Sequence, residues 1–321
     1  MTVDVVCLRP EADFERAGAL PPPGLKVVYR SLEDADVPAL MKIARALIIA
    51  AVGPELPDSL FEWTSVKFVQ VTGAGLDRLD LPTMKRLGIA VANVSGGSNG
   101  AVAEYVVTAT SVLLRRLSWA DSEIRAGNYG AFRARMIADN LTGLDGLVVG
   151  IVGFGAIGLA VAEAFRMRGC QVCYYDPAPR HPNAARSLQL AELIRIADVV
   201  TLHVPLLPST QGLIGARELA AMKAGAVLIQ ASRGGIVDES ALAEALESGH
   251  LAGAAIDVYS TEPPTSSNPL LSLRGDAARR ILFTPHIAGV TRQSTRFLLD
   301  FAWRNVERVL IQNESPLDLV C

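Results

Sequence analysis

Leu147-Val-Val-Gly-Ile-Val-Gly153-Phe-Gly155-Ala156-Ile157-Gly158 is an apolar, β-branched run that gives way to three glycines spaced G-x-G-x-x-G. The run reads as a strand, and Val161–Arg168 beyond it carries a helical apolar pattern. Asp176 closes the next strand, Gln171–Tyr175, 18 residues after Gly158. This strand–turn–helix–strand setting makes a common glycine pattern a dinucleotide-binding fingerprint. The glycines permit a tight turn and the close approach of a pyrophosphate, whose charge suits a helix N-terminus. Gly153, Gly155, Ala156, Ile157 and Gly158 are therefore candidate cofactor contacts. Asp176 can accept hydrogen bonds from the adenosine ribose and would repel a 2′-phosphate, which favours NAD over NADP; Arg180 lies near enough to blur that choice. The same stretch, Gly146–Ala162, holds 17 residues without a charge. It falls short of the ~18–20 needed to span a bilayer, and its five glycines fit a phosphate cradle better than a membrane helix.

On both sides of this stretch, strands alternate with helices. Val3–Leu8, Lys26–Tyr29, Ala46–Ala51, Lys67–Thr72 and Ile89–Asn93 read as strands, with helices at Val37–Arg45, Pro57–Trp63 and Leu81–Leu87. Ala101–Leu117 is apolar nearly all round and reads as a buried helix. The Arg-rich stretch Asp121–Asp139 shows no clear periodicity. A second series follows, with strands at Leu147–Val152, Gln171–Tyr175, Val199–His203, Ala226–Gln230, Gly253–Asp257 and Ile281–Thr284. Its helices are Val161–Arg168, Leu188–Arg195, Ala216–Met222 and Glu239–Ser248. A closing helix, Gln293–Ile311, sets Leu298, Phe301, Ala302, Val306, Val309 and Leu310 on one face. The alternation predicts two α/β units, each a parallel sheet covered on both faces.

Composition agrees with this reading. The chain has 321 residues, half of them hydrophobic and a fifth charged, so it can bury a sizeable core and is not intrinsically disordered. Lys plus Arg number 30 against 33 for Asp plus Glu, and a net charge of −3 gives no footprint for nucleic acid. Cys170 and Cys173 form a lone C-x-x-C inside a strand, without the helix N-terminus or second ligand pair that redox or zinc chemistry needs, so no metal is expected. The start, Met-Thr-Val-Asp-Val-Val-Cys, has no basic region, and the chain reads as reduced and cytoplasmic, with no membrane partner.

Three segments stand at the carboxyl ends of later strands, where open α/β sheets bind ligands. They are Ala231-Ser232-Arg233-Gly-Gly-Ile-Val-Asp-Glu239, Ile256-Asp257-Val-Tyr-Ser-Thr-Glu262, and Thr284-Pro-His286-Ile-Ala-Gly289. Arginine is a two-pronged donor for a carboxylate. Histidine passes protons near neutrality, and a neighbouring Glu fixes the ring and favours its charged form. Beside an NAD site, Arg233, Glu262 and His286 describe the reversible oxidation of a 2-hydroxy acid.

Across nearly its whole length the chain resembles the D-isomer-specific 2-hydroxyacid dehydrogenase family. The resemblance rests on Gly73-Ala-Gly-Leu-Asp77, Ala101-Val-Ala-Glu-Tyr105, Gly150–Gly158, Leu202-His-Val-Pro-Leu-Leu-Pro-Ser-Thr210, Ser232–Glu239, Asp257-Val-Tyr and Thr284–Gly289. It implies two doubly wound parallel-sheet domains: a flavodoxin-like substrate domain from 1–98 and 292–321, and a Rossmann NAD-binding domain over 99–291. It also implies a cleft between the two domains, and an arm over about 118–143 that embraces a second subunit of a homodimer. It implies Arg233 as substrate anchor, His286 as acid/base and Glu262 as its partner. Gly73, Ala74 and Gly75 would meet the substrate carboxylate. Val204, Pro205, Ala231, Ser232, Arg233, Asp257, His286 and Gly289 would line the cofactor. Hydroxypyruvate and glyoxylate reductases, phosphoglycerate dehydrogenases and NAD-sensing corepressors share this pattern.

Two departures stand out. The family's usual Asn before the Ala-Arg-Gly segment is Gln230, and the usual arm Trp is Tyr129. Where phosphoglycerate dehydrogenases commonly carry an Arg, this chain reads Ile49-Ala-Ala-Val-Gly53. A small, unphosphorylated 2-oxo or D-2-hydroxy acid is the expected substrate. Arg133 and Arg135 of the arm are candidates for a second acidic group, with a solvated surface as the plainer reading.

Overall fold

The computed structural model describes residues 3–179, 181 and 183–321. Arg180, and with it any bearing on the choice of cofactor, lies outside them. Two compact units are formed, Met1–Ser98 with Val290–Cys321, and Asn99–Gly289.

The first unit is a five-stranded sheet of β1 (Val5–Leu8), β2 (Val27–Tyr29), β3 (Ala46–Ile49), β4 (Phe68–Val71) and β5 (Ala90–Ala92), in the order β2-β1-β3-β4-β5. Every pair is parallel, which is the flavodoxin-like order. Alternate residues face opposite sides: Leu47, Ile49, Val69 and Val71 enter one apolar cluster, and Ala46, Ile48 and Phe68 the other. The closing helix, Arg292–Leu310, returns to this unit and buries Leu299, Ala302, Trp303, Asn305, Val306 and Leu310. Leu298, Phe301 and Val309, expected on that face, are only half-buried. The buried stripe is rotated because Trp303 donates from its indole to the Ala19 carbonyl at 3.1 Å. Asn305 also lies inside, its amide bonded to the Gln70 side chain at 2.8 Å and to the Leu317 backbone.

The second unit is a seven-stranded, all-parallel sheet. Its strands are β6 (Val148–Val152), β7 (Gln171–Tyr175), β8 (Arg186–Ser187), β9 (Val199–Leu202), β10 (Val227–Gln230), β11 (Gly253–Ile256) and β12 (Ile281–Phe283). The order β12-β11-β10-β9-β6-β7-β8 is the Rossmann arrangement extended by one strand. Val149, Ile151, Val227 and Ile229 pack beneath the helices Asn99–Leu114 and Ala156–Arg166. Val152, Val200, Leu202 and Leu228 pack against those of the other face. The expected α/β class with two doubly wound parallel sheets is thus the observed one.

Several local expectations are corrected. Val37–Arg45 is helical only over Val37–Met41, Pro57–Trp63 is a 3-10 turn over Asp58–Phe61, and Glu11–Ala17 is an additional helix ended by Gly18 at φ +67°. Asp121–Asp139 is not irregular but lies mostly within two helices, Leu117–Arg125 and Tyr129–Ala138. Only Trp119 and Phe132 are buried along those helices, so hydrophobic periodicity is weak; the rings meet 5.4 Å apart. Cys170 and Cys173 are free, buried thiols on opposite faces of the sheet. Among the described residues no helix is long and apolar enough to cross a membrane.

Candidate active site

The glycine turn opens at the end of β6. Gly153 has φ +92°, and its N–H donates to the Tyr175 carbonyl at 2.8 Å. A Cβ on Gly153 would stand 2.4 Å from the His203 carbonyl oxygen, and one on Gly158 would stand 2.3 Å from the Gly153 oxygen. Both are held to glycine by backbone neighbours. Gly155 differs: a Cβ there meets nothing within 4 Å, and no side chain caps the helix Ala156–Arg166 that it opens. An uncapped helix N-terminus facing open space fits the pyrophosphate of a dinucleotide. Asp176 braces the turn, with Oδ2 accepting from the Phe154 N–H at 2.7 Å and Oδ1 from the Ala178 N–H at 2.8 Å. Lone pairs remain on both oxygens for ribose hydroxyls. Ile157 and Val204 are half-buried beside the turn, and the Pro205 carbonyl accepts from the Thr210 hydroxyl at 2.6 Å.

Sequence reasoning passed over His203. Its Nε2 bonds to the Thr201 hydroxyl at 2.9 Å, and burial holds the imidazole down to about 3, so the ring is neutral.

At the end of β10 the turn Ala231–Arg233 is shaped by Gln230, which is 2% exposed. Gln230 Oε1 accepts from the Ser232 hydroxyl at 2.8 Å and the Ser232 N–H at 3.3 Å, while Nε2 donates to the Arg233 carbonyl at 2.8 Å. The Arg233 guanidinium donates to the Ser232 carbonyl at 2.8 Å. A Cβ on Gly234 would lie 1.7 Å from the Tyr259 carbonyl oxygen, so this turn abuts the loop that carries Glu262. Glu239 strengthens that junction by accepting from the Ser260 N–H at 2.8 Å and its hydroxyl at 2.7 Å.

Strands β11 and β12 are neighbours, and their loops bring Glu262 and His286 together. His286 Nδ1 donates to Glu262 Oε2 at 2.9 Å, and Glu262 Oε1 accepts from the Tyr259 N–H at 3.1 Å. His286 has φ +56°, which is uncommon for a residue with a Cβ. Asp257, 1% exposed, holds it there. Its carbonyl accepts from the His286 N–H at 2.8 Å, Oδ1 accepts from the Ile287 N–H and the Thr284 hydroxyl at 2.8 and 2.6 Å, and Oδ2 accepts from the Ala288 N–H at 2.8 Å. The Tyr105 hydroxyl, pushed up to about 12 by burial, completes the chain at 2.7 Å from Thr284 Oγ1. His286 Nε2 bonds to none of the described residues. An imidazole held through Nδ1 by a carboxylate is set to move a proton at Nε2.

In the first unit, the Gly73 carbonyl accepts from the Val94 N–H at 3.0 Å and the Ala74 carbonyl from Asn93 Nδ2 at 2.9 Å. Those bonds engage the carbonyl side of the turn Gly73–Gly75, and Ala74 at its tip is exposed. A Cβ on Gly73 would stand 2.7 Å from that of Ala51. Beneath the Ala50–Pro54 loop lies Arg78, 6% exposed, which donates to the Pro54 carbonyl at 2.7 Å and the Ala50 carbonyl at 3.2 Å. The loop therefore has a buried cation under it that the Ile49–Gly53 reading did not anticipate.

In the arm, Arg116, Arg135 and Arg279 lie over the Trp119 ring at 5.4, 4.4 and 5.4 Å. Arg135 also pairs with Asp276 at 2.7 Å. Its charge is paired inside its own unit; Arg133, like Arg135, is exposed. Tyr129 is exposed and Trp119 is buried.

Residues 107–288 match the profile described as D-isomer specific 2-hydroxyacid dehydrogenase, NAD binding domain. The chain is 32% identical to a hydroxypyruvate reductase of Blautia hydrogenotrophica over 329 aligned positions, covering 100% of this chain and 98% of the relative. It is 36% identical to an (S)-sulfolactate dehydrogenase of Chromohalobacter salexigens over 271 positions, covering 83% of this chain and 84% of the relative. A solved structure of a protein from Thermus thermophilus is similar with a TM-score of 0.86 and 30% identity, covering 99% of this chain and 100% of that one.

Proposed function

The chain belongs to the D-isomer-specific 2-hydroxyacid dehydrogenase family, and on that premise we propose which of its residues interconvert a small, unphosphorylated 2-oxo acid and its D-2-hydroxy acid. NAD, when bound, supplies the hydride donor or acceptor. The glycine turn Gly153–Gly158 takes its pyrophosphate and Asp176 the adenosine ribose. Arg233 holds the substrate carboxylate through its two-pronged guanidinium. In reduction His286 delivers a proton from Nε2 to the carbonyl oxygen, and in oxidation it takes the hydroxyl proton back. Glu262 keeps the ring oriented and stabilises its charged form. Asp257 holds the His286 loop and, together with Val204, Pro205, Ala231, Ser232 and Gly289, lines the nicotinamide end. Gly73–Gly75 offers further backbone donors for a carboxylate.

The observation that carries this reading is the 2.9 Å bond between Glu262 and His286, on loops that follow two adjacent strands. An unphosphorylated substrate is supported by Arg78, whose guanidinium is turned into the backbone carbonyls of the loop. We place the protein in the cytoplasm, in keeping with four free cysteines among the described residues. It acts there as a homodimer, in keeping with Leu117, Ile124, Tyr129 and Ile137 exposed along the arm. A panel of glyoxylate, hydroxypyruvate, pyruvate and their phosphorylated counterparts, followed by loss of NADH absorbance and repeated with NADPH, tests the assignment. Turnover of an unphosphorylated member with NADH is expected; no turnover of any member contradicts it.

A further inference from the structure

From the geometry around β10 we infer that Gln230 is a positioning residue for Arg233, setting the substrate anchor. The inference rests on the reading of Arg233 as that anchor. Gln230 is the last residue of β10, and its backbone carbonyl is tied into the sheet by the Asp257 N–H at 2.9 Å, so its stem is fixed. From there one amide group clasps two successive residues of the turn. Oε1 has both lone pairs filled by the N–H and hydroxyl of Ser232, and one of the two Nε2 hydrogens goes to the Arg233 carbonyl. The carbonyl of Ser232, which the first pair of bonds orients, is the same group that receives the Arg233 guanidinium at 2.8 Å. The side chain of Arg233 thus donates to a peptide unit that Gln230 brackets, through the Ser232 N–H and hydroxyl before it and the Arg233 carbonyl after it. On the far side Gly234 is wedged against the Tyr259 carbonyl, where even a methyl group would stand 1.7 Å from oxygen. The turn has no room to relax towards Tyr259, so its angle is set from the Gln230 side.

A shorter amide cannot reach both residues from the same stem. The longer residue at this position places three hydrogen bonds inside the turn.

The test compares wild type, Gln230→Met, Gln230→Asn and Arg233→Ala in the full-length protein. Three quantities are read: KM for whichever of glyoxylate, pyruvate or hydroxypyruvate is turned over fastest, inhibition by oxamate as a carboxylate that cannot be reduced, and NADH affinity by fluorescence. Gln230→Met keeps the volume and loses all three bonds. It should raise KM and the oxamate inhibition constant at least tenfold, with a clearly smaller loss of NADH affinity, since Ser232 also lines the proposed nicotinamide end. Gln230→Asn, which keeps an amide but falls one methylene short, should raise both at least threefold, and it carries the test if the Met variant does not fold. Wild-type KM and oxamate inhibition in either variant overturn the inference, as does a loss of NADH affinity equal to the loss for oxamate. Unchanged KM and oxamate inhibition in Arg233→Ala removes the anchor assignment itself, a result distinguishable from a failure at Gln230 alone.

Discussion

The imidazole of His286 donates to the Glu262 carboxylate at 2.9 Å across 24 residues of chain. The pair exists because each residue follows the end of one of two adjacent parallel strands. The carboxylate fixes the orientation of the ring and sets a negative charge beside it, and an amide keeps only the first of these. Glu262→Gln retains an acceptor for Nδ1 and loses the charge. It should lower kcat by about 10- to 100-fold with little change in NADH affinity, measured by steady-state kinetics and cofactor fluorescence.

Asp176 serves the turn through Phe154 and Ala178, and in the proposed cofactor site its charge would repel a 2′-phosphate. Asp176→Asn keeps a carbonyl oxygen for the Phe154 N–H and removes the repulsion. The ratio of kcat/KM for NADPH to that for NADH should rise at least about tenfold. An unchanged ratio would mean that Asp176 does not discriminate between the cofactors.

Gly234 is constrained by space and not by its backbone angle, since a Cβ would collide with a carbonyl oxygen and the adjoining backbone. Nothing flexible is available to yield. Gly234→Ala should cost about 1–3 kcal/mol of stability and raise KM for the 2-oxo acid, read by denaturant titration and kinetics. By contrast Gly155→Ala meets no protein atom, so its penalty should fall on NADH binding and spare stability.

His203 is neutral in the folded protein because burial holds it down to about 3, against an ordinary value near 6.5. Unfolding lets it bind a proton, so its stabilising contribution is complete above about pH 6.5 and is lost as pH falls towards 3. Between pH 7 and 5 wild type should lose stability more steeply than His203→Asn, by up to about 1.4 kcal/mol per pH unit. Equal slopes in urea titrations at several pH values would show that the ring is solvated.

Much of this architecture was legible from spacing alone. Apolar runs at β6 and β7 flanked the glycine turn, and the strand ends that present Glu262 and His286 were marked by Asp257 and Thr284-Pro. Reading failed where burial is carried by a few residues. The arm looked irregular because its only buried side chains are two aromatics, with arginines stacked over one of them. In the closing helix hydrophobicity pointed to Leu298 and Phe301, whereas Trp303 and Asn305 are inside, held by hydrogen bonds to distant backbone and to Gln70. The cation under the Ala50–Pro54 loop was hidden for a related reason: it comes from Arg78, after the next strand. Gln230 stood out as a departure from the family, yet only the folded turn shows where its amide is spent.

In the proposed mechanism His286 moves the substrate proton. The most direct test is the rate of NADH oxidation by His286→Ala with a saturating 2-oxo acid that wild type reduces, with NADH binding measured in parallel. A fall in kcat of about 10²- to 10⁴-fold is expected, with NADH affinity retained. Turnover equal to wild type would contradict this role.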